Sequence, residues 1–292
     1  MAFRHILVPI FGYDGDRAAL DAALTLANRG GAHIGVLHAK IDPLESTPLM
    51  VDVGVAIAEL VEAAERHVEA RAKRATETFE VWRKERNLKI DDQPSLRTGV
   101  TTAYSVEKGA EDEIVIRHGR LTDLVVIGRP TGADAADQAA VRVEDALFGA
   151  GRPVLLVPGN LGLDALNRIV SGPAVISWNG SIEATRAVTV ALDLMKGMEK
   201  VRVISVKEGR KDRHPSLDLV RYLAWQGVAA SVADVPASGH STAEKLLAAA
   251  HEAKAGVIVM GGYSHGRLRQ LVLGGVTSHM IDHADLPVLM AH

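Results

Sequence analysis

The feature of this chain that most constrains its fold is an internal repeat. Residues 174–181 (AVISWNGS) align with residues 6–13 (ILVPIFGY), glycine on glycine, and the last apolar runs of the two halves, RPVLLVP and LPVLMAH, also correspond. Self-similarity over such a length indicates a duplicated structural unit. We therefore predict two domains, residues 1–160 and 161–292, which are called the first copy and the second copy below.

Each copy alternates short apolar runs with helical segments, which predicts a doubly wound parallel α/β sheet of five strands, Rossmann-like in architecture. In the first copy, the pattern predicts strands at 6–10, 32–39, 95–101, 123–128 and 153–158. Helices are predicted there at 16–28, 51–87 and 104–118, with a short one inside 129–148. After a predicted linker at 159–173, residues 174–181 repeat the first strand and its turn, and further strands are predicted at 200–207, 229–235, 256–261 and 287–291. Its helices are predicted at 182–196, 215–227 and 241–254, and a last one opens at the Gly274-Gly275 pair.

The composition excludes several classes of protein. An apolar content of 47% suffices for a packed core, and no apolar run reaches the roughly 18 residues that a membrane span needs. The absence of cysteine excludes disulfides and thiolate metal sites. A net charge of −3 and 4% aromatic residues argue against nucleic acid and membrane partners. We expect a globular cytoplasmic protein, because the N-terminal apolar segment is also too short for a signal peptide.

The second copy carries the segment best suited to bind a ligand. A buried strand ends at Gly261, a loop follows, and Gly274 and Gly275 open a short helix. Glycines let the main chain approach an anion closely, and a helix start offers unpaired N–H groups. This pattern predicts a phosphate-binding loop. Within the loop, His265, Arg267 and Arg269 either approach the anion or lie in solvent, and the sequence leaves both alternatives open.

On these residues the chain resembles the universal stress protein family in its tandem form. ATP-binding members carry the loop G-x2-G-x9-G-(S/T), and the spacing is kept here, although Ser264 and Gly275 replace two of the marked residues. The resemblance implies ATP or another adenine nucleotide as ligand, possibly with Mg. It implies contacts from Ser177, Asn179, Val206, Met260, Gly261, Ser264, Gly274, Gly275, Val276 and Thr277.

The chain departs from the family pattern at the adenine contact and in the loop of the first copy. Asn179 stands where nucleotide-binding members have an adenine-contacting Asp, and the corresponding residue of the first copy is Phe11. The first copy also lacks the second glycine and the Gly-Gly pair after Gly128, so we expect no nucleotide there. The family implies that the last strands of the two copies pair, and a homodimer of the whole chain is an open possibility.

Three alternatives remain at this stage. The chain either binds a nucleotide as a regulatory ligand, or is a scaffold of the stress response without nucleotide, or is an enzyme. An enzyme is the weakest hypothesis, since no catalytic triad or general base is identifiable and any hydrolysis would be slow. His279 and His283 are four residues apart, the spacing of a two-histidine metal site, but they lack a third ligand and are expected to be a solvated pair.

Several charged residues are predicted to face solvent. They comprise Asp14, Asp16 and Asp21 near the first turn and the charges of the long helix, namely Glu59, Glu62, Glu65, Arg66, Glu69, Arg71, Lys73 and Arg74.

Overall fold

A computed structural model of the chain describes residues 3–42, 54–91, 93, 99–131, 135–205, 215–233, 241–263 and 275–292. The first copy contains β1 (His5–Pro9), α1 (Gly15–Gly30), β2 (His33–Lys40), α2 (Gly54–Glu85), β3 (Lys89–Ile90), β4 (Thr101–Lys108), α3 (Glu111–Gly119), β5 (Leu124–Arg129), α4 (Ala135–Glu144), a π-helical segment (Asp145–Gly149) and β6 (Val154–Pro158). The second copy contains α5 (Leu163–Ser171), β7 (Ala174–Ser177), α6 (Ile182–Met195), β8 (Val201–Ile204), α7 (Pro215–Trp225), β9 (Ala230–Ala233), α8 (Thr242–Glu252), β10 (Val257–Gly261), α9 (Gly275–His283) and β11 (Val288–Ala291).

The strands form one sheet of eleven, in the order β3-β4-β2-β1-β5-β6-β11-β10-β7-β8-β9. Neighbouring strands run parallel within each copy, as the alternation of strands and helices predicted. Between the copies, β6 and β11 pair antiparallel, with Leu155 opposite Leu289. The predicted pairing of the two last strands is therefore confirmed.

Apolar residues cover both faces of the sheet, which explains why the strands read as nearly continuous apolar runs. In β1, Ile6 and Val8 join the core on one face, while Leu7 joins the core on the other. The same alternation continues in β5, where Val126 and Val125 point to opposite faces. Within each copy the parallel strands bring their carboxyl ends to one edge of the sheet, and the antiparallel pair β6–β11 sets the edges of the two copies at opposite ends.

One predicted helix is a strand over most of its first half. Residues 104–118 were predicted to be helical, but β4 extends to Lys108 and α3 begins only at Glu111. All eight residues of β4 pair in register with β2, and Thr102 donates its hydroxyl to the Ile34 carbonyl at 2.9 Å. Pairing with β2 outweighs local helix preference, because each residue gains main-chain hydrogen bonds in the sheet. Most of the predicted strand at 95–101 lies outside the described residues.

The predicted linker at 159–173 contains a helix, α5, and the prediction was wrong on this point. Leu166 and Ile169 of α5 are buried in the common core, and α5 packs against α1. Their spacing of three residues matches one face of a helix, which is the signal that the linker interpretation missed. The segment therefore links the two copies through packing as well as through the chain.

Candidate functional site

The sheet has one candidate crevice in each copy, at the point where the strand order reverses. Open α/β sheets bind ligands beyond the carboxyl ends of the strands at that point. In the first copy, the reversal lies between β1 and β5, and in the second copy it lies between β7 and β10. The duplication therefore allows the two crevices to be compared residue by residue.

In the first copy, the turn after β1 binds a carboxylate of the protein itself. Asp16 is 2% exposed and accepts hydrogen bonds from the main-chain N–H groups of Phe11, Gly12 and Tyr13, at 3.0, 2.7 and 3.1 Å. Burial raises the pKa of Asp16 to about 6, although the three N–H donors and the charge of Arg142 act in the opposite direction. The prediction that Asp16 faces solvent was wrong, because three converging donors hold its carboxylate inside the turn.

The prediction that Asp21 faces solvent was also wrong, whereas Asp14 is exposed as predicted. Asp21 is buried and accepts hydrogen bonds at 2.9 Å from the indole N–H of Trp82 and from Nε of Arg86. It therefore joins α1 to the end of α2.

Two arginines fill the space beside this turn. The guanidinium of Arg142 lies 3.5 Å from the centroid of the Phe11 ring, and its Nε donates to Glu111 Oε1 at 2.8 Å. Arg71 donates from Nε to the Phe11 carbonyl at 2.9 Å and from Nη2 to Glu111 Oε2 at 3.3 Å. Arg71 was predicted to lie on the solvated face of the long helix, but it is buried because its charge is paired with Glu111.

We call the five residues Phe11, Asp16, Arg71, Glu111 and Arg142 the Arg142 cluster. They come from the β1–α1 turn, α1, α2, α3 and α4, so that every element bordering the first crevice except the strands contributes one. Glu111 pairs with both arginines, Asp16 accepts from the turn N–H groups, and Nη1 of Arg142 has no hydrogen-bond partner among the described residues. The turn after β1 is therefore lined by charged side chains of the chain itself. The absence of a nucleotide from this copy stays a prediction.

In the second copy, the equivalent turn lacks the internal carboxylate. Ala184 follows Gly180 by four residues, as Asp16 follows Gly12. The turn is instead shaped by Asn179, whose Oδ1 accepts from Ser181 N at 3.0 Å, and by Ser181, whose Oγ accepts from Ala184 N at 3.1 Å. Asn179 is exposed at the end of the strand-one turn, where the resemblance placed the adenine contact.

The arginine is missing from the second copy as well. Arg142 stands eleven residues before Pro153, and Val276 stands eleven residues before Pro287. The burial pattern gives the same alignment, because the buried residues Val143 and Ala146 correspond to the buried residues Thr277 and Met280. The second copy thus has the uncharged Val276 where the first has a buried guanidinium. A Cβ on the preceding residue, Gly275, would meet no atom of the described residues within 4 Å.

Two of the predicted contact residues have clear structural roles. A Cβ on Gly261 would lie 2.6 Å from the main-chain nitrogen of Ala184, so a glycine is needed there for α6 to approach β10. Gly128 makes the same close approach to Gly15 in the first copy. Met260 is buried, with its side chain in the core, so that only its main chain is available to a ligand.

The ends of the predicted phosphate loop are held together at its base. The hydroxyl of Thr277 accepts a hydrogen bond at 3.1 Å from the main-chain N–H of Tyr263, which stands fourteen residues earlier. Thr277 is buried, whereas Gly275 is exposed and Val276 is partly buried at the start of α9. The π-helical segment of the first copy supports this base, because Phe148 packs against Tyr263 with ring centroids 5.1 Å apart.

The structure brings together Ser177 and Met260, which are register partners in adjacent strands, and places Gly261 next to them. Gly275, Val276 and Thr277 begin the helix that follows. Val206, Ser264 and Gly274, together with His265, Arg267 and Arg269, lie outside the described residues.

The two histidines of α9 contact each other. Their rings stack with centroids 4.4 Å apart, and Nδ1 of His283 lies 3.2 Å from the carbonyl oxygen of His279. Within the described ranges, no group of three or more His, Asp or Glu side chains is placed to hold a metal ion. None of the described helices is long and apolar enough to cross a bilayer.

Sequence reasoning missed the Arg142 cluster, although a signal was present. The aligned copies carry Asp16 against Ala184 and Arg142 against Val276, which are changes from charged to uncharged residues at two positions of one crevice. Such a paired difference between copies indicates that the two crevices differ in their charged groups.

Comparison with known proteins agrees with this description. The sequence profile of the universal stress protein family matches residues 237–292. A universal stress protein from Archaeoglobus fulgidus DSM 4304 has a similar structure, with a TM-score of 0.64 and 17% identity, covering 100% of this chain and 96% of that one. A putative universal stress protein from Pseudomonas aeruginosa UCBPP-PA14 has a TM-score of 0.55 and 17% identity, covering 99% and 92% of the two chains.

A third similar structure is a functionally unknown protein from Pseudomonas aeruginosa PAO1, with a TM-score of 0.53, 17% identity and coverage of 99% and 92%. At this identity the three likenesses establish the fold of the whole chain. No protein of curated function matches the sequence.

Proposed function

Because the chain carries the universal stress protein sequence pattern in residues 237–292 and shares the fold of such proteins along its whole length, we propose that it binds an adenine nucleotide in its second copy as a regulatory ligand. We propose one nucleotide site per chain and no catalytic residue. The first copy serves as the fixed partner against which the second copy is built.

The observation that carries this proposal is the contrast between the two crevices. In the first, a buried carboxylate binds the turn N–H groups and a buried guanidinium covers Phe11. In the second, Ala184 and Val276 stand at the equivalent positions, so both charged side chains are absent. The loss of both charged side chains at this crevice supports a ligand site in the second copy and not in the first.

The fit to a nucleotide follows from the chemistry of the residues at the second crevice. Phosphate is bound by unpaired N–H groups at a helix start, and Gly275 and Val276 provide such groups at the start of α9. The exposed amide of Asn179 and the end of β7 at Ser177 lie on the strand-one side, where a purine base would be hydrogen-bonded. Ser264 and Gly274 complete the proposed phosphate loop, Val206 the base pocket, and any Mg would be held chiefly by the phosphates.

The first test is to identify what the purified full-length chain carries. The protein is denatured, and the released small molecules are analysed by ultraviolet absorbance and mass spectrometry. We expect an adenine nucleotide in the released fraction, or a heat signal when ATP is titrated into ligand-free protein. The absence of both signals from a folded chain would overturn the proposal.

A substitution at Gly275 should abolish nucleotide binding without lowering the stability of the fold. Gly275→Glu places a carboxylate at the predicted phosphate. A Cβ at this position meets none of the described residues within 4 Å, and a negative charge is favourable at a helix N-terminus, so the fold should tolerate the new side chain. We expect ATP binding to be lost and the unfolding midpoint to stay the same or rise. Gly275→Ala is the matched control, because it adds a methyl group without charge and keeps the main-chain N–H.

A scaffold function without nucleotide is the second candidate, and specific contacts favour it. Asn179 Oδ1 is engaged with Ser181 N, Thr277 Oγ1 is engaged with Tyr263 N, and Gly261 is required for packing. Each of these residues thus has a structural role that needs no ligand. Equal behaviour of the two Gly275 variants in every nucleotide assay would support this candidate.

A further inference from the structure

Helix α9 of the second copy is held at its C-terminal end by an arginine of the first copy. α9 packs against α4, and Arg129, at the end of β5, donates from Nη1 to the Ile281 carbonyl at 2.9 Å. The carbonyls in the last turn of a helix have no partner within the helix and carry its partial negative charge. The guanidinium of Arg129 therefore fixes this end of α9.

The start of α9 is joined to the first copy through Tyr263. Thr277, in the first turn of α9, accepts a hydrogen bond from the main-chain N–H of Tyr263 at 3.1 Å. The ring of Tyr263 packs on Phe148 of the π-helical segment, and its hydroxyl oxygen is buried near Glu144, at the end of α4. Tyr263 thus connects the start of α9 with the first copy.

The main chain at Tyr263 adopts a conformation that needs support from its surroundings. Its φ of 56° lies in the left-handed region, which residues with a side chain adopt at a cost and only where the surrounding structure holds them. The preceding Gly262 lies so close to the first copy that a Cβ there would be 3.1 Å from Leu147 Cδ1. Phe148 also contacts the ring of His292, whose Nδ1 lies 3.1 Å from the Gly262 carbonyl oxygen. The π-helical segment therefore supports this turn from the side of the first copy.

An aromatic pair of this kind exists at the second crevice and not at the first. In the alignment of the two copies, Phe148 corresponds to Asp282, and Tyr263 corresponds to Pro130. The main chain differs too, because residues 145–149 are π-helical, whereas the corresponding part of α9 is α-helical. π-helical turns are rare and occur frequently at functional sites. Packing between two similar copies does not by itself require a ring at one end only, so the contact points to a role at the second crevice.

We infer that the first copy completes the ligand site of the second copy, with Phe148 and Arg129 as positioning residues for α9. The inference rests on the proposed nucleotide site, in which the N–H groups of Gly275 and Val276 bind phosphate. Hydrogen bonds to phosphate depend on the position and direction of these groups, and a displacement of about 1 Å is enough to weaken them. Phe148 sets the start of α9 through the turn at Tyr263, whereas Arg129 sets its end.

The first measurement is the ATP affinity of the full-length chain, by isothermal titration. Phe148→Ala removes the ring that holds Tyr263 and should weaken ATP binding about tenfold, the equivalent of one aromatic contact. Tyr104→Ala is the matched control, because it also removes one ring of an aromatic pair, 4.8 Å from Phe79, but in β4, towards the opposite end of the sheet. It should bind ATP as the wild type does. Phe148→Tyr keeps the ring and should retain the wild-type affinity.

The other end of α9 is tested at Arg129. Arg129→Met keeps a long side chain but removes the hydrogen bond to the Ile281 carbonyl, and it should weaken ATP binding about fivefold. Arg129→Lys keeps a charged donor and should weaken binding less. Wild-type affinity in Arg129→Met would overturn the role assigned to this residue.

A second measurement needs no nucleotide. Amide hydrogen exchange of the ligand-free chain, followed by NMR, reports whether the N–H of Tyr263 keeps its hydrogen bond to Thr277. Phe148→Ala should speed exchange at Tyr263 about tenfold, and Tyr104→Ala should leave it unchanged. A role of Phe148 in overall stability alone would not produce this local difference.

The two measurements separate the inference from the proposed function. If the wild type binds ATP, equal affinity of Phe148→Ala and Tyr104→Ala, or an unchanged exchange rate at Tyr263, would overturn the inference and leave the nucleotide site standing. If the folded wild type binds no ATP, the proposed function fails. The exchange rate at Tyr263 then still supports or contradicts the role of Phe148 in holding the start of α9.

Discussion

The guanidinium of Arg142 lies 3.5 Å from the centroid of the Phe11 ring, and this contact distinguishes the crevice of the first copy from that of the second. Arg142 and Asp16 border the crevice of the first copy, and the corresponding residues of the second copy are Val276 and Ala184. The two copies of the duplicated unit thus differ in the charged residues at their crevices.

Removal of the arginine should destabilise the protein. Arg142→Ala takes away the 2.8 Å ion pair with Glu111 and leaves that partly buried carboxylate with Arg71 alone. Because breaking a fully buried ion pair costs about 3 kcal/mol or more, we expect the free energy of unfolding to fall by about 2 kcal/mol. Chemical denaturation measures this loss, and Arg74→Ala, at an exposed position of α2, should change it by less than about 0.5 kcal/mol. Equal effects of the two variants would contradict an internally stabilised crevice.

The two glycines of the second crevice should respond differently to alanine. At Gly261 the new methyl group would lie 2.6 Å from Ala184 N, so α6 must move away from β10. Overpacking of this kind costs about 1–3 kcal/mol. At Gly275 none of the described residues lies within 4 Å of the added methyl group, and alanine should leave the unfolding midpoint unchanged. Loss of nucleotide binding in Gly261→Ala would therefore not identify a ligand contact, and a stable Gly261→Ala variant would contradict the packing role.

Asp145, at the start of the π-helical segment, should make stability depend on pH. Burial, together with the negative charges of Asp112, Glu144 and Glu111, raises its pKa from 3.8 to about 6. Because the raised pKa favours the protonated form in the folded state, its stabilising contribution is complete below about pH 4 and is lost as the pH rises through 6. Asp145→Asn should thus be more stable than the wild type at pH 7.5, with the advantage shrinking towards pH 4. Thermal melts across this range measure the difference, and a difference that does not vary with pH would contradict the shift.

The junction of the two copies should unfold as part of one cooperative unit. Leu289 of β11 is buried opposite Leu155 of β6, at the centre of the continuous sheet. Leu289→Ala should cost about 2–5 kcal/mol and lower a single calorimetric transition. Leu121→Ala, at an exposed position, serves as control. Two separate transitions, of which only one responds to Leu289→Ala, would show that the copies unfold independently.

The fold could be predicted from the sequence, because strands that are buried on both faces of a sheet consist of nearly continuous apolar residues. Such runs are recognisable in the sequence alone. The prediction failed at β4, where pairing with β2 decides the structure of residues 104–108. It also failed for Arg71, since the burial of this charge depends on Glu111, which is distant in the chain. It failed for Asp16 because the turn that directs three N–H groups at this carboxylate is a feature of the folded main chain. For the second crevice, spacing identified the glycines, but only the structure shows that Gly261 serves packing and that a Cβ on Gly275 would meet none of the described residues.

The central claim is a single nucleotide site in the second copy, and the stoichiometry of ATP binding tests it most directly. Isothermal titration of ligand-free, full-length protein should give one ATP per chain, with binding lost in Gly275→Glu and kept in Gly275→Ala. No binding by the folded wild type, two sites per chain, or unchanged affinity in Gly275→Glu would contradict the claim.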